Sequence, residues 1–125
     1  MREQNHRMRV AIYMRVANIT QTQPETTDPT IECQAALLRE TAFHFGHNVA
    51  GEFYDHCHGL GTERPGLDRM LKAIEYGDIK GVLVKDACRL GRNEETQQKI
   101  ELAIRARGAR VFYADRLRIG KNILR

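Results

Sequence analysis

Four short apolar runs, each rich in β-branched residues and separated by stretches with helical periodicity, constrain this chain more than any other feature. Residues 9–16 (RVAIYMRV), 48–55 (NVAGEFYD), 80–85 (KGVLVK) and 109–114 (ARVFYA) read as strands. Between them, three sets of apolar residues recur at helical spacing. They are Ile31, Ala35, Leu38, Ala42 and Phe45; then Leu67, Met70, Leu71 and Ile74; then Thr96, Ile100, Ala103 and Ile104. Thr30 is placed to cap the first helix, and Gly46, Gly77 and Gly108 to end the three in turn. The order β-α-β-α-β-α-β predicts an α/β fold, a single three-layer domain with helices on both faces. Its central sheet is expected to be mostly parallel, with about four to five strands. Tyr13, Phe53, Tyr54 and Phe112 fall inside strands and are assigned to the core rather than to stacking on bases.

A length of 125 residues suits one hydrophobic core, and no repeat or linker interrupts it. No apolar run reaches the roughly 18 residues of a membrane span. The polar, basic start is followed by no apolar stretch of the kind a signal peptide has, so the expected compartment is the cytoplasm, without a membrane partner. Three cysteines, Cys33, Cys57 and Cys88, form no framework spacing and suit free thiols in a reducing compartment. Cys88 is expected to be a small buried residue rather than a reactive one. His56, Cys57 and His58 are adjacent in sequence and poorly placed to meet on one metal ion. A cysteine-phosphatase loop is disfavoured too, because six residues separate Cys57 from Arg64 where that loop needs five, and Glu63 takes the arginine's place. No cofactor or metal is expected.

The net charge is +4, and fifteen of the twenty basic residues are arginine, which favours a phosphate-bearing partner. In a parallel sheet the carboxyl ends of the strands share one rim, where ligands bind. Arg15 ends the first strand, Arg64 closes the loop after the second, and Arg89 and Arg92 follow the third. Arg89 and Arg92 are three apart and would share a face if they opened a helix. Guanidinium groups suit the oxygens of a phosphodiester. The competing reading is a generally arginine-rich, solvated surface.

At these same residues the chain resembles the serine recombinases, the resolvase/invertase and large serine integrase family. Tyr13-Met14-Arg15-Val16-Ala17 resembles that family's Y-x-R-V-S, and Ile31-Glu32-Cys33-Gln34 its helix-opening S-I-E-x-Q. Asp55 through Gly59 to Thr62, then Arg64-Pro65-Gly66-Leu67, resembles D-x-x-x-S-G-x-x-x-RPGL, and Cys88-Arg89-Leu90-Gly91-Arg92-Asn93 resembles D-R-L-[SG]-R-[ND]. The resemblance implies a metal-free catalytic domain for site-specific DNA recombination, which cleaves and exchanges DNA strands through a phosphoserine linkage. The implied site comprises Arg15, position 17, Gln34, Asp55, Arg64, position 88, Arg89 and Arg92. It also implies a catalytic-type domain over residues 1–115. Residues 116–125 would be a basic tail or the opening of the family's long dimerisation helix.

Two departures qualify this. The nucleophile position holds Ala17, whose methyl group cannot attack phosphorus, and the aspartate position holds Cys88. A relocated nucleophile at Thr20 is disfavoured. The chain is therefore expected to be inactive as it stands, with Ala17→Ser alone restoring little because Cys88 lacks a carboxylate. The alternative is a naturally non-catalytic relative that regulates by binding DNA or a partner. The expected partners are DNA, at the arginine cluster, and either further copies of the chain or an active recombinase. The isolated chain is expected to be monomeric or weakly dimeric.

Overall fold

The computed structural model describes residues 7–17, 30–57 and 64–117. Asn18, Thr20, Thr22, His58, Glu63, Ile119 and the tail beyond it lie outside the described residues. Among the described residues there are four strands: β1 (Arg9–Ala17), β2 (Asn48–Cys57), β3 (Gly81–Val84) and β4 (Arg110–Tyr113). Three helices alternate with them: α1 (Ile31–His44), α2 (Pro65–Gly77) and α3 (Glu94–Ala106). Short 3-10 turns at Ala87–Arg89 and Ala114–Arg116 follow β3 and β4.

The sheet order is β2-β1-β3-β4, and every neighbouring pair is parallel. β1 is central, so its apolar run is buried on both faces. Val10, Ile12 and Met14 pack with Ala35, Leu38 and Ala42 of α1. Ala11 and Tyr13 point the other way, into a cluster with Leu67, Met70 and Ile74 of α2 and Ile104 of α3. One helix on one face and two on the other give the expected three layers. The chain steps from β1 to β2, then returns across β1 to reach β3. The direction of strand order therefore reverses between β1 and β3, and the crevice beyond their carboxyl ends is a topological switch point.

Helix ends follow local chemistry. Thr30 Oγ1 accepts from the Cys33 amide at 3.0 Å, and Asn93 Oδ1 accepts from that of Thr96 at 2.8 Å. Gly46 and Gly108 take positive φ after α1 and α3, as expected. The stop after α2 differs: Asp78, not Gly77, adopts the left-handed conformation, with φ 59°.

Other expectations need correction. Arg89 and Arg92 do not share the first turn of an α-helix, because Asn93 takes the cap and α3 starts at Glu94. Arg89 lies in the 3-10 turn and Arg92 in the bend beyond it. Cys88 is exposed, whereas its neighbours in the turn, Ala87 and Leu90, pack against the core. Of the four strand aromatics only Tyr13 is fully buried; Tyr54 is 49% exposed, because β2 is an edge strand that α1 only partly covers.

Candidate functional site

The switch point is built on β1. Gln34, buried in the first turn of α1, grips the Arg15 backbone twice. Its Nε2 donates to the Arg15 carbonyl at 3.1 Å, and its Oε1 accepts from the Arg15 amide at 3.3 Å. The end of β1 is thereby fixed before any side chain reaches across the crevice. Arg15 Nη2 then donates to the Cys88 carbonyl at 3.0 Å, and Arg89 Nη1 donates back to the Arg15 carbonyl at 2.8 Å. This reciprocal brace ties the end of β1 to the turn after β3.

Arg64, which precedes α2, enters the same crevice. Its Nη2 donates to the Tyr13 hydroxyl at 3.0 Å and to the Arg89 carbonyl at 2.9 Å, and its Nη1 donates to the Leu90 carbonyl. The guanidinium carbon lies 5.5 Å from the Tyr13 ring centroid, within cation-π range. Its Nε is buried with no hydrogen-bond partner among the described residues.

Behind Arg64 sits Asp55, buried near the end of β2. Its Oδ2 accepts from the Tyr13 hydroxyl at 2.6 Å and from the Leu67 amide at 2.9 Å, and its Oδ1 from the Gly66 amide at 2.7 Å. Arg64 occupies the N-cap position of α2 without a side-chain cap bond, so Asp55 caps that helix from the neighbouring strand. Burial pushes the Tyr13 hydroxyl far above the ordinary tyrosine range, against the opposing pull of Arg64. It stays protonated, giving its hydrogen to Asp55 and a lone pair to Arg64.

Of the residues singled out in the sequence, the structure brings Arg15, Arg64, Arg89 and Gln34 together. Cys88 takes part through its backbone carbonyl, while its side chain is exposed. Asp55 stands one residue removed, behind Tyr13. Ala17 ends β1, in register with Cys57. Arg92 is exposed further along, before α3. Sequence reading missed two participants. Tyr13 was assigned to the core, and its buried hydroxyl, which needs a partner, was the available signal. Asp86, whose carboxylate faces Arg89, carried no signal until the 3-10 turn was known. Chemically, the crevice presents oriented positive charge, as an oxyanion requires. Among the described residues no three His, Cys, Asp or Glu side chains gather as metal ligands.

Fold and site together define a parallel α/β domain with an arginine-lined switch point. The chain belongs to the resolvase N-terminal domain family, whose model matches residues 10–122. This is the family that its motifs indicated. Among solved structures it is similar to the C-terminal catalytic domain of ISC1926 TnpA, an IS607-like serine recombinase, with 28% identity and a TM-score of 0.68 over 86% of this chain and 70% of that one. The N-terminal catalytic domain of TP901-1 integrase is 24% identical, with a TM-score of 0.69 over 86% of this chain and 77% of that one. A resolvase family site-specific recombinase from Streptococcus pneumoniae is 20% identical, with a TM-score of 0.67 over 87% and 73% of the two chains. The last two likenesses concern the fold. No curated protein matches the chain significantly.

Proposed function

We propose that this chain is a site-specific recombination domain that holds DNA by a backbone phosphate at the switch point and, with Ala17 at the nucleophile position, forms no phosphoserine link itself. The observation that carries this reading is the convergence of Arg15, Arg64 and Arg89 at the ends of β1 and β3. Guanidiniums fixed by backbone carbonyls meet phosphate oxygens with little reorganisation. Arg92 adds charge at the exposed margin. Gln34 and Asp55 act through others, Gln34 by fixing the Arg15 backbone and Asp55 by holding Tyr13 and α2. The domain body is residues 1–115, and 116–125 is a basic tail or the start of a longer helix. On this reading the protein works on DNA in the cytoplasm, without a cofactor. It assembles with its own copies or with an active recombinase that supplies the missing serine. The absence of both Ser at 17 and Asp at 88 favours a second reading, a non-catalytic regulator of such an assembly.

The test is fluorescence anisotropy with a labelled duplex across a salt series, paired with denaturing gels. Affinity should fall steeply with salt, and Arg92→Ala should reduce the slope of log K against log salt by about 1. No denaturant-resistant protein–DNA band should form. Salt-independent binding, or a covalent adduct on the unaltered chain, would overturn the proposal.

A further inference from the structure

The turn between β3 and α3 carries a carboxylate where the motif reading expected none. At position 88 the family's aspartate is replaced by an exposed cysteine, but Asp86 stands two residues upstream. Asp86 is the N-cap of the 3-10 turn, in extended conformation with φ −157° and ψ 174°. An aspartate there ordinarily spends its side chain on a backbone amide of the following turn. This one makes no side-chain cap bond. Its carboxylate turns instead to two cations: Oδ2 lies 3.2 Å from Lys85 Nζ, and Oδ1 lies 3.5 Å from Arg89 Nε. The Arg89 side chain is 11% exposed and that of Asp86 21%, so the pair is shielded from solvent more than a surface salt bridge is.

The geometry follows from the turn. Asp86 opens the turn and Arg89 ends it, and the Arg89 amide donates to the Asp86 carbonyl at 3.1 Å, which brings the two residues together across the turn. Nη1 hydrogen-bonds the Arg15 carbonyl, while Nε makes with Asp86 Oδ1 an ion-pair contact that falls short of a hydrogen bond, so the carboxylate acts on this buried guanidinium through its charge.

We infer that Asp86 is a positioning residue for Arg89, supplying the turn after β3 with the carboxylate that Cys88 does not provide. This rests on the phosphate-binding reading for its purpose and not for its geometry. It makes Cys88 a lesser departure than Ala17. It also replaces the expectation that Cys88 would keep an Ala17→Ser chain from recovering.

Two measurements on the whole chain test it. The first is the Arg89 Nε–H resonance in a 15N-labelled sample, assigned by its loss in Arg89→Lys. Asp86→Asn should speed solvent exchange of that proton by about fivefold, while Asp86→Glu, which keeps the carboxylate, should preserve protection. The second is anisotropy with a labelled duplex at low salt. Asp86→Asn should weaken binding about two- to fivefold, although it removes a negative charge. Asp115→Asn makes the same charge change, and the Asp115 amide bonds the Lys85 carbonyl. It should bind the duplex equally or more tightly and leave the Arg89 resonance unmoved. If Asp86→Asn fails to fold, as judged by its thermal midpoint, Asp86→Ser is read in its place. An Arg89 resonance unchanged without the carboxylate, or tighter duplex binding in both charge variants, would overturn the inference. If the unaltered chain binds no duplex, the phosphate reading falls, while the Arg89 resonance still decides the role of Asp86.

Discussion

Asp55 offers the sharpest separation between holding the fold and serving chemistry. Its carboxylate accepts from the Tyr13 hydroxyl and from the amides of Gly66 and Leu67, all in a buried setting. Asp55→Ala strands those donors. A buried donor left without a partner costs about 1–3 kcal/mol, and loss of a helix cap about 0.5–2 kcal/mol. Water entering the space left by the side chain recovers part of this. The net loss should be about 3–5 kcal/mol, a large share of the 5–15 kcal/mol typical of a domain. For 125 residues the unfolding entropy is about 0.26 kcal/mol/K, so a loss of about 4 kcal/mol lowers Tm by about 15 °C. Asp55→Asn keeps one acceptor oxygen but turns an amide NH2 toward a donor, and should cost about half as much. Circular dichroism melts and urea titrations measure both. If both variants unfold within about 0.5 kcal/mol of the parent, the capping argument is wrong. A residue kept for chemistry alone would show the opposite pattern, an unchanged midpoint with altered behaviour toward DNA.

Gly66→Ala should be as damaging by a different route. A Cβ there would lie 2.0 Å from the backbone oxygen of Tyr54, so α2 must withdraw from β2 and release the Asp55 cap. A loss of about 3 kcal/mol or more is expected from urea denaturation, and a loss below about 1 kcal/mol would contradict the close approach. On the opposite face, Arg39 Nε and Nη2 bond the two Glu52 oxygens at 2.6 and 2.7 Å, and this bonding lowers the Glu52 pKa from its ordinary value. A depressed folded-state pKa stabilises above the unfolded value, and that stability is lost as pH falls through the folded one. The Tm gap between the parent and Glu52→Gln should therefore be present at neutral pH and close as the pH falls below the ordinary glutamate range; a gap that persists in acid would refute the sign.

How far the sequence foretold the molecule depended on where each property resides. Strand and helix order is written in periodicity, and β1, α1 and their caps were legible for that reason. Strand order is not, and Tyr54 was misplaced because a run that could be central or edge reads alike until the pairing is known. Cys88 was misjudged because thiols are usually buried, whereas its exposure follows from a turn only a few residues long. The arginines were visible as residue types, but their mutual brace was not. Its acceptors are the carbonyls of Arg15, Cys88, Arg89 and Leu90, and a carbonyl leaves no mark in a sequence.

That brace bears on why this chain departs from its family where it does. Arg64 joins the Tyr13 hydroxyl to the carbonyls of Arg89 and Leu90, and so ties β1 to the turn after β3. Arg15 and Arg89 complete the tie from both sides. Replacing Arg64 would take that donor from the carbonyls of Arg89 and Leu90, a cost to folding whatever the chain does with DNA, while the Tyr13 hydroxyl keeps Asp55 and the Arg15 carbonyl keeps Gln34. Position 17 enters the sheet through its backbone, in register with Cys57. Position 88 contributes its carbonyl, which any residue supplies. On the proposed reading, Ala17 and Cys88 are compatible with the fold, and the arginines that line the crevice also hold it together. The arginine cluster alone is therefore weak support for catalysis. The decisive measurements are those that separate DNA binding from folding: whether Arg92→Ala lowers the salt dependence of duplex binding, and whether Asp86→Asn weakens it.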